Sequence, residues 1–133
     1  MSNPIDETLV RELTELQLEL KKAQWFAALR WRERMKTYLS SIGISFTEWL
    51  VLDATWSLVD RTGDAVSQNE VGRALELDAM TLWHAMAVLD HRGLVHRGCS
   101  MSGKSWRVLV TRSGADLLRA VKPGLEQACA AVH

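Results

Sequence analysis

Residues 5–40 contain neither Gly nor Pro, and their apolar positions recur with the spacing of a coiled coil. The intervals alternate between four and three residues, through Leu9, Leu13, Leu16, Leu20, Ala23 and Ala27. Positions spaced in this way share one side of an α-helix, while the charged residues between them face solvent. The pattern predicts one long helix from Asp6 to Ser40, roughly 50 Å in length.

A helix of this length extends beyond what a small domain can cover with its own side chains. We therefore expect a second copy of the chain to cover its N-terminal half, which makes the protein a homodimer. The expected interface residues are Leu9, Leu13, Leu16, Leu20 and Leu125. In the other interpretation the same positions pack on the C-terminal helix of their own chain, and the two interpretations are compatible.

Three further helices are predicted between residues 43 and 93. Gly43 is expected to end the long helix, and Thr47 to cap a second helix from Glu48 to about Asp60. The segment Ser67-Gln-Asn-Glu70 has the spacing of a capping box. It predicts a short helix whose inward positions are Val71, Ala74 and Leu75.

A tight turn then leads into another capped helix. Asp78 is the expected N-cap, and the helix should run from Ala79 to about Arg92, with Gly93 in the left-handed position that follows a helix. Its predicted buried positions are Leu82, Ala85, Met86 and Leu89. The two short helices and the turn between them have the form of a helix-turn-helix.

After Gly93 the apolar period falls from 3.6 residues to two, which is typical of strands. Residues 94–98 and 106–110 predict two strands, joined by a polar hairpin loop with Gly103 at its tip. Thr111 is expected to cap a last helix that begins at Arg112, and Pro123 to kink or restart it.

This order of elements predicts a mainly α fold with a small β-hairpin wing, which is a winged helix-turn-helix. The long N-terminal and C-terminal helices are interpreted as dimerisation helices. We expect a single domain over residues 1–133, in which 1–45 and 112–133 form the dimerisation helices. Residues 46–111 then form the winged-helix DNA-binding lobe.

The sequence resembles the MarR family of bacterial transcription regulators from about residue 24 to residue 120. The matching segments are 46–52 (FTEWLVL), 67–75 (SQNEVGRAL), 77–81 (LDAMT), 88–97 (VLDHRGLVHR) and 110–114 (VTRSG). The resemblance implies an obligate homodimer that binds a pseudo-palindromic operator in double-stranded DNA. It also implies a regulator, often a repressor, that a small phenolic or otherwise amphipathic ligand can release from DNA.

The helix-turn-helix and the wing supply the candidate DNA contacts. The first short helix would direct its N-terminal amides at a phosphate, the second would enter the major groove, and the hairpin tip would reach the neighbouring backbone. The expected contacts are Ser67, Gln68, Ala79, Met80, Thr81, Trp83, His84 and Lys104.

The predicted recognition helix departs from the family pattern, which usually reads Asp-Arg-Ser-Thr-x-Ser-Arg. Here the segment is Asp78-Ala-Met-Thr-Leu-Trp-His84, so both arginines are replaced, by Ala79 and His84, and Trp83 stands in place of a serine. The family's Asp-x-Arg pattern at the wing tip is also replaced, by Ser102-Gly-Lys104, which removes the pair that braces the wing. Arg, Lys, Asn and Gln make the common base contacts, and none of them occurs between Ala79 and His91.

These departures leave a second function class open. Ala79, Met80, Trp83 and Ala87 are predicted to face outward, and an exposed apolar face of this kind can bind a protein. The alternative is therefore a winged-helix protein that has lost its reliance on DNA and acts as an antirepressor or adaptor.

The charge balance argues against an indiscriminate polyanion binder. Lys plus Arg and Asp plus Glu number 16 each, so the formal net charge is zero. Residues 67–112 hold six basic and four acidic residues, which makes the DNA-facing half only slightly positive. Each phosphate contact adds about one unit to the salt dependence of binding, so we expect modest DNA affinity at physiological salt.

Six Trp residues against one Tyr and two Phe form the unusual part of the composition. Trp106 is expected to pack the wing against the domain. The candidates for a pocket that binds a small aromatic effector are Trp25, Phe26, Met35, Trp49 and Trp56. The alternative is that these side chains are ordinary core packing.

No motif indicates an enzyme, a cofactor or a metal site. The four histidines have no metal-ligand spacing, and the sequence has neither GxSxG nor a Gly-rich phosphate loop. Cys99 and Cys129 form no CxxC pair, which favours reduced thiols in a cytoplasmic protein. The sequence shows neither a signal peptide nor an apolar run long enough for a membrane span.

Overall fold

The computed structural model describes residues 4–99 and 106–130. It contains five helices and a small antiparallel sheet within these ranges. The predicted fold class, mainly α with a wing, is confirmed. In chain order the elements are α1 (Pro4–Ser41), α2 (Phe46–Thr62), β1 (Val66–Ser67), α3 (Gln68–Leu75), α4 (Ala79–His91), β2 (Val95–Cys99), β3 (Trp106–Val110) and α5 (Arg112–Ala130).

The sheet has the strand order β1-β3-β2, and both pairings are antiparallel. Val66 pairs with Val108, and Val95 pairs with Val110. We call β2 and β3 together the wing. The sequence pattern does not indicate β1, because two residues are too few to show a period of two.

The first core cluster joins α2, α3 and α4 to the sheet. The predicted buried positions of α4 are confirmed, since Leu82, Ala85, Met86 and Leu89 all lie in this cluster. The prediction for α3 is wrong at Ala74, which is exposed, whereas Gly72 is buried. A Cβ at Gly72 would lie 2.9 Å from Leu82 Cδ2, so the missing side chain is what allows α3 and α4 to approach closely.

The second cluster joins the C-terminal half of α1 to α5 and the start of α2. Its buried members are Met35, Leu39, Ile44, Val121 and Leu125. Leu125, which was expected at the dimer interface, is therefore buried inside its own chain. The physical reason is close packing of α5 on α1, where a Cβ at Gly124 would overlap the Tyr38 ring.

Side-chain caps fix where the helices begin. The cap of α2 is Ser45 and not Thr47, because Ser45 is extended and its hydroxyl accepts from the Glu48 backbone N–H at 3.0 Å. The Ser45 hydroxyl also donates to the Glu48 carboxylate at 2.8 Å, so two hydrogen bonds join these residues. The caps predicted at Ser67 and Asp78 are confirmed. The Ser67 hydroxyl accepts from the Glu70 backbone N–H, and the Asp78 carboxylate accepts from the Thr81 backbone N–H.

The last helix is continuous through Pro123, so this residue does not restart it. Thr111 accepts a hydrogen bond from the Gly114 N–H at 3.1 Å, as predicted for a cap. Pro123 removes one backbone donor, while Val121 and Leu125 on either side are buried and hold the helix against α1.

The N-terminal part of α1 projects from the rest of the chain. Every residue from 6 to 26 is exposed, including the heptad positions Leu9, Leu13, Leu16 and Leu20. Among residues 4–99 and 106–130, no helix has the length and apolar character of a membrane span.

Candidate nucleic-acid interface

A two-residue turn sets α4 against α3. Glu76 takes a left-handed conformation with φ of 53° at the end of α3, and its N–H donates to Arg73 O. Asp78 then starts α4 by accepting from the Thr81 N–H at 2.7 Å and from the Thr81 hydroxyl at 2.8 Å. These two bonds hold the pKa of the Asp78 carboxyl below its usual value. The carboxylate is therefore kept charged at the N-terminus of α4, where the helix dipole favours it.

The outer face of α4 is largely apolar at its start. Met80 is 67% exposed, and Ala79 and His84 are exposed beside it. Thr81 is half-buried, and its hydroxyl already donates to Asp78. Of the expected α4 contacts, Ala79, Met80 and His84 thus lie open to a partner.

Trp83 does not simply face outward, as its helical position suggested. Its ring packs edge-on against Trp106 of β3, with the centroids 6.0 Å apart. The Arg97 guanidinium carbon lies 4.7 Å from the Trp83 centroid and 5.0 Å from that of Trp106. Arg97 also pairs with Asp90, with Nε to Oδ2 at 3.3 Å. We call Trp83, Asp90, Arg97 and Trp106 the Arg97 cluster.

The Arg97 cluster ties the wing to α4. The Arg97 side chain is only 9% exposed, and its Nη1 is buried. A cation between aromatic rings and beside a carboxylate is stabilised in both contacts. The expectation that Trp106 packs the wing against the domain is confirmed, and its partner is Trp83. Sequence reasoning missed the role of Arg97.

The start of α3 differs from the expectation at Gln68. The Ser67 hydroxyl is occupied as a cap, and the Gln68 side chain is only 9% exposed, which leaves little of it open to a phosphate. Asn69 and Arg73 are exposed instead, and they line an open groove of about 670 Å³ between α3 and α4. Neither was among the predicted contacts, although Asn69 and Arg73 lie one and five residues after Gln68.

Two further cations belong to the wing region. Arg107 of β3 is exposed and donates to Ala65 O at 3.3 Å, which holds its guanidinium beside β1. Lys104, the expected contact at the wing tip, lies outside the described residues, as does the Ser102-Gly103 segment before it.

A separate cavity of about 450 Å³ lies between α1, α2 and α5. Three of the expected pocket residues, Met35, Trp49 and Trp56, line it. Trp25 and Phe26 do not, because they lie on the projecting part of α1, about 9 Å along the helix from Trp31. Other residues, which were not among the expected pocket residues, also line it: Trp31, Asp53, Ala115, Leu118, Arg119, Lys122, Leu125, Glu126 and Cys129.

The cavity is amphipathic. Trp49 and Trp56 of α2 line it, together with the cationic side chains Arg119 and Lys122 and the carboxylate Glu126 of α5. Partial burial raises the pKa of Asp53, which also lines it. No set of three His, Cys, Asp or Glu side chains that could hold a metal ion occurs in residues 4–99 and 106–130.

The fold is similar to solved structures of MarR-type regulators. A mutant MarR from E. coli, complexed with operator DNA, has a TM-score of 0.65 at 19% identity over 96% of this chain and 85% of that one. AbfR of Staphylococcus epidermidis has a TM-score of 0.71 at 22% identity, and the match covers 85% of this chain and 74% of AbfR. Wild-type apo MarR from E. coli has a TM-score of 0.70 at 20% identity, and the match covers 83% of this chain and 81% of that one.

No protein-family model matches the sequence, and no curated protein matches it in sequence. At these low identities the structural likeness establishes the fold of the chain. That fold is a MarR-like winged helix.

Proposed function

We propose that the protein is a dimeric, sequence-specific DNA-binding transcription regulator of the MarR type, which acts as a repressor at a pseudo-palindromic operator. The observation that carries the proposal is the exposed start of α4, set by a capped turn and flanked by a wing that the Arg97 cluster ties to it. Reduced AbfR, whose structure matches this chain with a TM-score of 0.62, was solved bound to DNA. A bacterial regulator of this kind would act in the cytoplasm.

In the proposed complex, α4 enters the major groove with its N-terminal residues toward the bases. Asn69 and Arg73 of α3 and Arg107 of β3 are exposed on the surrounding elements and suit contacts with the phosphates. Lys104 would extend the contacts at the wing tip. The few cations predict modest affinity with a shallow salt dependence.

The proposed dimer uses the projecting part of α1. Leu9, Leu13, Leu16 and Leu20 are exposed on one side of it, and the same side continues into the part of α1 that packs on α5. A second copy would bury these leucines and set the two α4 helices about one DNA turn apart, roughly 34 Å.

The amphipathic cavity suits a small aromatic ligand as the effector of the proposed regulator. Indole rings would stack on an aromatic ring, and Arg119 or Lys122 would pair with an acidic group. Because the cavity lies between the helices of the second cluster and α2 of the lobe, a ligand there can change the spacing of the two α4 helices. Quenching of Trp fluorescence across a panel of phenolic and indolic compounds tests this, and no response from any of them would contradict it.

The protein-binding alternative depended on a free Trp83. Because Trp83 packs against Arg97 and Trp106, its ring serves the wing, and no described contact favours an adaptor over a DNA-binding regulator.

The test is fluorescence anisotropy with duplexes selected by the protein from a randomised pool. We expect a selected duplex to bind more tightly than an unselected one, and Met80→Glu to abolish this difference by placing a carboxylate against the DNA. Gln127→Glu on α5 adds the same charge to an exposed position outside the lobe and should leave binding unchanged. Equal binding of selected and unselected duplexes at low salt would contradict the proposal.

A further inference from the structure

The start of α4 presents almost no hydrogen-bonding group to a partner. Its exposed side chains in the first two turns are Ala79, Met80, Trp83 and His84. The nearby polar groups are engaged within the chain, since Thr81 bonds Asp78. His84, one turn after Met80, is the exposed polar side chain of these turns.

Two arginines beside α4, Arg92 and Arg97, are also engaged within the chain, whereas Arg73 of α3 is exposed in the groove that Ala79 lines. Arg97 lies between the indoles of Trp83 and Trp106 and pairs with Asp90, and its guanidinium is buried. Arg92, directly after α4, donates to Gly43 O at 2.8 Å and lies 3.8 Å from a Glu48 carboxylate oxygen. Neither guanidinium is placed to form the bidentate contact with guanine that arginine commonly makes.

Trp83 is also limited as a base contact. It remains 41% exposed, but one part of its ring is covered by the Arg97 guanidinium and Trp106 meets it edge-on. Apart from the single indole N–H donor, the side chain offers only apolar surface. The surface available for base recognition is therefore apolar over most of its extent.

Apolar side chains distinguish bases in the major groove by one feature, the C5-methyl group of thymine. Guanine and adenine edges offer only polar atoms there, and a methionine or alanine that covers them leaves those atoms without hydrogen bonds. An apolar helix start thus discriminates in favour of thymine and against desolvated guanine.

We propose that α4 recognises its DNA through thymine methyl groups, with Met80 as the main reading side chain and Ala79 and the exposed part of Trp83 beside it. The preferred half-site carries thymine at the positions that face the first turn of α4. This inference rests on the proposed DNA-binding function and names the class of sequence that it selects.

The test replaces single thymines of a selected duplex by deoxyuridine, which keeps every hydrogen-bonding atom and lacks only the methyl group. At the one or two thymines that face Met80, we expect the Kd to rise about fourfold per methyl removed. Met80→Ala should abolish the difference between thymine and uracil at one of these positions. Val88→Ala, at an exposed apolar position later in the same helix, should preserve the difference.

The possible results are separable. If a selected duplex binds specifically but every deoxyuridine substitution leaves the Kd within about twofold, the methyl inference is wrong and the DNA-binding function stands. The same holds if replacing a guanine by 7-deazaguanine is the change that weakens binding. If no duplex is selected over random DNA, the proposed function fails and the inference fails with it.

Discussion

At the residue scale, the Arg97 cluster is the contact that most changes the interpretation of the sequence. Trp83 alone looks like an exposed apolar residue on a helix that should carry polar ones. In the structure its ring supports a guanidinium that also lies against Trp106 of the wing. The cluster thus provides a brace between wing and helix, where the family pattern of Asp-x-Arg at the wing tip is absent.

Removal of the Arg97 side-chain charge tests this brace. We expect Arg97→Met to lower the free energy of unfolding by about 1–2 kcal/mol, because both cation–π contacts and the pair with Asp90 are lost. Urea denaturation measures the change. Arg107→Met, at an exposed arginine of the adjacent strand, is the matched control and should have a smaller effect.

A further measurement separates a brace from simple stabilisation. Relative to the wild-type protein, the Arg97→Met variant should show a larger increase in the rate of backbone hydrogen exchange in the wing than in α5, because the cluster joins the wing to α4 and does not include α5. Equal acceleration throughout the chain would contradict the proposed brace.

At the element scale, the helices with strong caps were predictable from the sequence. The Ser67 and Asp78 caps and the buried stripe of α4 follow from short-range spacing, and the structure confirms them. The prediction of Thr47 as the cap of α2 is wrong, although the short-range spacing of Ser45 and Glu48 favours Ser45. Short-range patterns of this kind need no knowledge of distant contacts.

The features that the sequence did not predict depend on contacts between residues that lie far apart in the chain. β1 forms only because Val66 meets Val108, 42 positions later, and Arg97 meets Trp83 only when the wing folds back on α4. The cavity residues Arg119 and Lys122 likewise come from α5, whereas the aromatic residues that suggested a pocket come from α1 and α2. The spacing of residues within one segment does not indicate such long-range contacts.

The Asp78 cap predicts a pH dependence for α4. Because the folded-state pKa of Asp78 is lowered from 3.8, its contribution to stability is complete above that value and is lost as the pH falls through the lower folded-state pKa. We therefore expect Asp78→Ala to destabilise the protein at pH 7 and to have a smaller effect at pH 3.

Urea denaturation of both proteins at the two pH values measures this prediction. Asp78→Asn is the control, because asparagine can also cap a helix but does not titrate. An Asp78→Ala effect that is as large at pH 3 as at pH 7 would contradict the assignment of the charged carboxylate as the cap.

At the scale of the whole molecule, the projecting part of α1 is the feature that most favours association with a second copy of the chain. Residues 6–26 make up a helical segment of roughly 30 Å that is exposed along its whole length. An isolated helix with a row of exposed leucines gains little stability from its own chain, which favours the proposed dimer. This dimer supplies a partner for the helix and places two lobes for a two-fold symmetric site.

Charge on the heptad side of α1 tests the dimer. We expect the double substitution Leu13→Glu and Leu16→Glu to shift the protein from dimer to monomer, because it buries four carboxylates in the interface. Sedimentation velocity measures the change. Leu18→Glu is the matched control, because Leu18 is equally exposed but lies on the opposite side of the helix. A monomeric wild-type protein, or an equal effect of Leu18→Glu, would contradict the proposed interface.

The central claim is that two copies of α4 occupy successive major grooves of one DNA site. Hydroxyl-radical footprinting on a selected duplex tests it most directly, because it reports the position of each contact along the backbone. We predict two protected regions related by two-fold symmetry, with their centres about 10 base pairs apart or a multiple of that distance. A single protected region, or uniform weak protection over the duplex, would contradict the account.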